Sequence, residues 1–120
     1  MNNNRRQGNN FEVLAADYLK RNGMIILEQN YYCKMGEIDI VARDEEYLVF
    51  IEVKYRKSKG RGSAAEAVNY NKMRKISRCA DVYMMQHHLD GNTSVRFDVV
   101  AIEEGHLSHI KNAFEYIPIC

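Results

Sequence analysis

Two apolar stretches set close together constrain this chain most: Gly36-Glu37-Ile38-Asp39-Ile40-Val41-Ala42 and Val49-Phe50-Ile51-Glu52-Val53-Lys54. The polar run Asp44-Glu45-Glu46 between them reads as a turn, so the pair is predicted as a β-hairpin. Side chains along a strand alternate faces with a period of two, which groups Glu37 with Asp39 and Glu52 with Lys54. A reversal near residue 45 sets Glu52 opposite Ile38 or Asp39, within about 5 Å directly or about 7 to 8 Å diagonally. In the register where all four polar side chains meet, Ile38, Ile40, Ile51 and Val53 form the opposite, apolar face. A slip of a single residue would turn Glu52 to the other side.

Carboxylates that close repel one another unless something positive lies between them, and the candidates are a divalent cation and Lys54. An oxygen-only set suits Mg²⁺ or Mn²⁺ and does not suit zinc. Because Mg²⁺ keeps several waters, Asp39 and Glu52 suffice as its protein ligands. Such an ion polarises a phosphoryl oxygen and makes a nucleophile of water near neutral pH. Lys54 would orient that water, help deprotonate it, or neutralise the charge of the transition state. Taken alone, Glu52-x-Lys54 is the ordinary spacing of a solvated hairpin whose lysine pairs with Glu52 or Asp39. Glu37 and Asp39, lodged in the neighbouring apolar segment, raise the pattern above that background.

With 120 residues, the chain is expected to form a single domain over 1–120, with 1–8 as a flexible N-terminus. Hydrophobic residues at 46% and charged residues at 28% are ordinary globular usage. The net charge of +1 gives no overall polyanion signal, so any such affinity must come from local patches. Cys33, Cys79 and Cys120 are odd in number and lack CxxC spacing, which points to free thiols in a reducing cytosol. Without a long apolar run or a signal core, a cytoplasmic protein with no membrane association is expected.

Along the chain, Phe11, Leu14, Ala15, Tyr18 and Leu19 recur at helical spacing, predicting a helix from Asn10 to Asn22 that Gly23 can end. Glu12 lies in its first turn, where a carboxylate favours the helix dipole whatever else it does. Met24 to Gln29 reads as a strand, followed by the hairpin. The segment 56–63 is polar and glycine-rich. Its Arg56, Lys57, Lys59 and Arg61 would either wrap a phosphate backbone or simply form a solvated loop. A long helix is predicted from Ser63 or Ala64 to about His87, with a Ser63/Glu66 capping box and an apolar stripe of Ala64, Ala65, Val68, Ile76, Ala80 and Tyr83. Lys72, Arg74, Lys75 and Arg78 make it basic, extending the field of the loop before it. Ser94 to Ile102 reads as a strand in which Arg96 and Asp98 share a face and pair structurally. His106 to Tyr116 reads as a strand and then a short terminal helix, and His106 and His109 lack a third partner for a ligand set. The order α-β-β-β-α-β gives an α/β class: a meander of three strands, and a helix that returns the chain to add a fourth to a mixed sheet flanked by helices.

A resemblance makes this specific. Glu12-x-x-Ala15-Ala16-x-x-Leu19 with Gly23, Gly36-Glu37-Ile38-Asp39, Phe50-Ile51-Glu52-Val53-Lys54-x-Arg56, Ala67-Val68 with Lys72, Arg96-Phe97-Asp98-Val99-Val100 and Asn112-Ala113-Phe114 resemble the YraN family of bacterial proteins from Gly8 to Phe114. Phe11 departs from the glycine usual before that glutamate. The resemblance implies a restriction-endonuclease-like, PD-(D/E)xK core similar to Holliday-junction resolvases. It further implies that Asp39 and Glu52 bind metal, that Lys54 is the catalytic lysine, that Glu12 contributes from the first helix, and that Glu37 belongs to the Gly-Glu-Ile-Asp motif. Lys72 would lie near substrate phosphates. The expected activity is Mg²⁺- or Mn²⁺-dependent endonucleolytic hydrolysis of DNA, including branched or structured DNA. Arg56, Lys57, Lys59, Arg61, Lys72 and Arg74 would grip the backbone. RNA stays open as a substrate, and a homodimer is implied by analogy with resolvases. The alternatives are a non-catalytic nucleic-acid-binding or interaction module on the same fold, and a purely structural domain.

Overall fold

A computed structural model describes residues 3–56 and 68–119, and the side chains of residues 3–9 are left aside. Helix α1 (Asn3–Arg21) is followed by β1 (Ile25–Cys33), β2 (Gly36–Asp44), β3 (Tyr47–Arg56), α2 (Tyr70–Gln86), β4 (Val95–Glu103) and β5 (His106–Phe114). The strands form one sheet in the order β1-β2-β3-β4-β5. The first three make the expected antiparallel meander. The chain crosses through α2 to lay β4 parallel to β3, and β5 returns antiparallel to β4. The architecture is the mixed α/β sheet with flanking helices that the patterning predicts.

The two helices cover opposite faces. Ala15, Ala16 and Leu19 of α1 pack with Ile40, Ala42, Val49, Ile51, Val100 and Ile102. On the other side Ile76, Cys79, Ala80 and Tyr83 of α2 pack with Val41, Leu48, Phe50, Phe97 and Val99. Both faces of β2, β3 and β4 are therefore core, which is why these strands read as continuous apolar runs. Ile40, Ile51 and Val53 share the α1 side as expected, but Ile38 packs on the α2 side. The alternation breaks where Asn30, lying between the pairs Gln29↔Ile40 and Tyr31↔Ile38, takes a left-handed backbone (φ 55). Asparagine is among the few residues that tolerate that conformation.

Helix α1 begins at Asn3, well before the expected Asn10, and ends where Gly23 (φ 92) permits a left-handed turn. Gly23 N–H donates to Lys20 O (3.0 Å) and Met24 N–H to Leu19 O (3.0 Å), a Schellman closure. Helix α2 starts at Tyr70, later than expected. Its N-cap is Asn69, whose side chain accepts from Lys72 N–H at 2.9 Å. Val68 is thus not part of the helical stripe but is buried just ahead of it. Ser63, Ala64, Ala65 and Glu66 lie outside the described residues.

Two further expectations are corrected. Cys33 and Cys79 are not free thiols: they form a disulfide that ties the end of β1 to α2, with Cα atoms 5.7 Å apart. Spacing in the sequence did not suggest it, because the partners come from a strand and a helix separated by 46 positions. No helix follows β5, for residues 115–119 form no regular element. That tail is strapped along α2: Tyr116 Oη donates to Asp81 Oδ1 (2.9 Å), Ile117 N–H donates to Ser77 Oγ (3.1 Å), and the Arg78 guanidinium donates to Ile117 O. No helix among the described residues is long and apolar enough to cross a membrane.

The expected Arg96–Asp98 pair exists and is the centre of a buried polar knot. Asp98, fully buried, accepts from Arg96 Nε and Nη2 (both 2.8 Å), from Asn112 N–H (2.9 Å), and meets His109 Nε2 at 2.7 Å. Arg96 also reaches Asp44 Oδ2 at 2.9 Å. The knot locks β4 to β5 at their register shift between Phe97 and Val99 and ties both to the end of β2. Burial alone would raise the Asp98 carboxyl, but hydrogen bonds from His109, Arg96 and Asn112 outweigh it and hold the group below its usual range.

Candidate functional site

The β2–β3 ladder runs from Asp44↔Tyr47 to Ile40↔Ile51. Beyond that point Asp39 takes over from the backbone: its Oδ2 accepts from Val53 N–H at 2.8 Å. One more step of this register would set Asp39 against Glu52, the arrangement the turn position predicts. Both side chains are buried, Asp39 at 8% and Glu52 at 4% exposure. On β3, Glu52 and Lys54 share the α2 side, and Lys54 Nζ lies 3.4 Å from Glu52 Oε2. Lys72 Nζ, from the first turn of α2, comes within 3.5 Å of the same oxygen. The helix start at Tyr70 is what brings Lys72 there.

Glu12 approaches from α1 on the other side. Burial raises its pKa, a hydrogen bond from the Asn30 side chain lowers it, and the charges of Glu37 and Glu52 raise it again. These couplings put Glu12, Glu37 and Glu52 in one electrostatic neighbourhood where the β2–β3 ladder ends. Asp39 is its most perturbed member: burial first, then the neighbouring Glu52 carboxylate, push it up to about 8 against the opposing Val53 hydrogen bond, with Glu12 adding to the rise. Among the described residues, Glu12 Oε1 and Glu52 Oε1 find no hydrogen-bond partner although both are buried. Buried carboxylate oxygens left in that state are costly unless a proton or cation reaches them.

The donor set therefore suits a hard divalent ion: oxygen-only, like-charged, buried and partly unsatisfied. Among the described residues no three His, Cys, Asp or Glu side chains are gathered closely enough to form a ligand cage. The fit is accordingly to an ion held by one or two carboxylates, with its other positions given to water or substrate oxygens. Lys54 and Lys72 add positive charge on the α2 side.

The basic residues divide. Lys72 is at the site. Arg56 ends β3, two positions beyond Lys54, in register with Glu103 of β4. Arg74 is turned away: two residues along a helix rotate by about 200°, and its guanidinium donates to Asn71 Oδ1 (2.9 Å) beside Met35, Lys75 and Arg78. Lys57, Lys59 and Arg61 lie outside the described residues. Asn30 is the site residue that sequence reading missed. Its signal was an asparagine inside a strand, a position the residue type disfavours, and its partner became visible only with the register.

A model of the uncharacterised protein family UPF0102 matches residues 11–102. A UPF0102 protein of Lachnoclostridium phytofermentans is 44% identical over 113 residues, spanning 94% of this chain and 96% of its own length. One of Vibrio parahaemolyticus is 45% identical over 111 residues, spanning 91% and 92%. One of Legionella pneumophila is 39% identical over 106 residues, spanning 87% and 90%.

Proposed function

We infer that this chain, which belongs to the uncharacterised protein family UPF0102, the YraN family, is a metal-dependent nuclease of the restriction-endonuclease-like kind that hydrolyses phosphodiester bonds in DNA. The observation that carries this reading is Asp39: a buried strand carboxylate, anchored by Val53 N–H, pushed up to about 8 by burial and by Glu52, and set where an antiparallel ladder ends. A structural aspartate would be neutralised by a cation within the fold, as Asp98 is by Arg96. Among the described residues Asp39 has no ion pair of that kind, and the oxygens around it include two with no donor. A group poised in this way is characteristic of functional sites.

Asp39 and Glu52 would hold Mg²⁺ or Mn²⁺, which when bound supplies Lewis acidity to the phosphodiester and acidity to water. Val53 N–H fixes the Asp39 carboxylate in the gap, so its orientation does not depend on the ion. Lys54, on the same side as Glu52, presents an ammonium to the charge that builds on the phosphoryl oxygens. Lys72 adds a second from α2 and neutralises a neighbouring phosphate. Glu12, carried by α1 and oriented by Asn30, faces the gap from the other side, where it can accept a proton from the attacking water. Glu37 adds negative potential that favours a cation.

The test is cleavage of linear, flapped and four-way-junction DNA by the purified protein with Mn²⁺. Lys54→Ala should lose cleavage while keeping its melting temperature within a few degrees. An uncut panel, or a Lys54→Ala variant as fast as wild type, removes the nuclease reading. One observation favours a second reading, binding of structured nucleic acid without turnover: Lys54 and Lys72 both reach Glu52 Oε2, so part of the charge is already balanced internally. Under that reading, DNA binding persists in Asp39→Asn and falls steeply with salt.

A further inference from the structure

The residue before Glu12 and the residue after Lys54 touch each other. Phe11 of α1 and Tyr55 of β3 are stacked with ring centroids 3.9 Å apart and planes 14° from parallel. Tyr55 alternates to the α1 side of β3, opposite Lys54, and is 43% exposed. Phe11 is half-buried, with its other contacts in the α1 core. The pair heads an apolar hollow of about 420 Å³ between α1 and the β4–β5 turn, bordered by Leu14, Leu107 and Ile102, with Asp17 and Arg21 among its lining.

We propose that this aromatic pair is a nucleobase-stacking site that selects DNA with an unpaired base beside the cleaved phosphate. The inference rests on the nuclease reading of the neighbouring carboxylates and deepens it by naming the substrate class. Position is the first support. Consecutive Cα atoms are about 3.8 Å apart, so the rings are carried by the two residues directly joined to Glu12 and Lys54. A strand crossing the end of β3 with its phosphate between those two groups has its adjacent base over Tyr55. Chemistry is the second. A base brings a flat aromatic face, which matches an exposed tyrosine ring at the head of a mainly apolar hollow. Arg21 supplies a cation for the next phosphate. A base inside an intact duplex has both faces covered by its neighbours, so only a nucleotide freed by a flap, junction or single strand can enter. Stacking of this kind is tolerant of sequence.

Binding is measured without divalent metal, using labelled single-stranded, flapped and blunt duplex oligonucleotides, the first two also carrying 2-aminopurine at the unpaired positions. Wild type should bind the unpaired substrates and quench 2-aminopurine, and Tyr55→Phe should do the same. Tyr55→Ala should weaken binding to unpaired substrates about 5- to 100-fold and lose the quenching, while changing duplex binding less than twofold. A melting curve for each variant establishes that the fold is retained. Equal affinity of Tyr55→Ala and wild type for the unpaired substrates overturns the stacking site. So does a wild type that cleaves with Mn²⁺ yet neither prefers unpaired DNA nor quenches the probe, an outcome that leaves the nuclease reading standing. Failure of wild type to bind or cut any of the oligonucleotides overturns both.

Discussion

Replacing Asp39 by asparagine should make the metal-free protein more stable. The carboxyl has an ordinary value of 3.8 and is pushed up to about 8 in the fold, by burial and by Glu52. Between those two values the folded chain holds a proton that the unfolded chain has released, so stability falls as pH rises across that window. At pH 7 the penalty is about 1.4 kcal/mol for each unit between the ordinary value and pH 7, or about 4 kcal/mol. Asparagine keeps an oxygen for Val53 N–H, is neutral at every pH, and can offer its amide to Glu52. Allowing for imperfect hydrogen bonding, Asp39→Asn should gain about 2 to 4 kcal/mol at pH 7, a rise of roughly 6 to 20 °C for a domain of this size. The gain should fall below about 1 kcal/mol at pH 4, where the folded carboxyl is protonated and the unfolded one is close to half protonated, and level off above pH 8. Thermal melts from pH 4 to pH 9, with EDTA present, measure it. Saturating Mn²⁺ should then stabilise wild type, by about 2.7 kcal/mol at a hundredfold excess over Kd, and leave Asp39→Asn unmoved. Because ion and proton compete for Asp39, Mn²⁺ affinity should climb as pH rises toward 8. A variant less stable than wild type at pH 7, or a difference independent of pH, would refute the assignment of Asp39 as a strained carboxylate.

Asp98→Ala leaves Arg96 and His109 facing each other in the interior, so it should cost about 3 to 5 kcal/mol in urea unfolding while leaving the metal response of any folded fraction intact. Asp98 sits below its ordinary range, so its stabilisation is fully present above the ordinary carboxylate value and is lost as acid takes the pH down through the folded one; an Asp98→Asn protein should show a shallower loss of stability below pH 4. The Cys33→Ser/Cys79→Ser double variant, which opens a loop of 46 positions, should lose about 2 to 4 kcal/mol relative to oxidised wild type and match it in reductant. Identical melts with and without dithiothreitol in wild type would count against that bond as a contributor. Lys72→Ala removes a cation from the site without touching the core, so it should weaken DNA binding several-fold and reduce its salt dependence by about one ion, read from a salt titration of affinity.

What could be read from the sequence follows the range of the forces involved. The hairpin was legible because its determinants are local: a polar break at 44–46 fixes where the chain turns, and the turn fixes which residues face across it. From that alone come the approach of Asp39 and Glu52 and the common side of Glu52 and Lys54. The Arg96–Asp98 pair was legible for the same reason, being two residues apart on one strand. Its reach to His109, Asn112 and Asp44 was not, since those join only when β5 folds back and β2 lies across the sheet. Face assignments failed at Ile38 because a left-handed residue on the neighbouring strand, Asn30, breaks the alternation, and no pattern within 36–42 carries that information. The start of α2 was misplaced because two capping signals compete, Ser63 with Glu66 and Asn69 with Lys72 N–H, and local propensity does not rank them. That difference matters chemically: counted from Tyr70, Lys72 stands in the first turn and points at Glu52, whereas Arg74, equally basic and two residues on, points elsewhere. A basic run on a helix is therefore not one patch. Its members are sorted by the helical period, and only those on the side of the carboxylates can act with them.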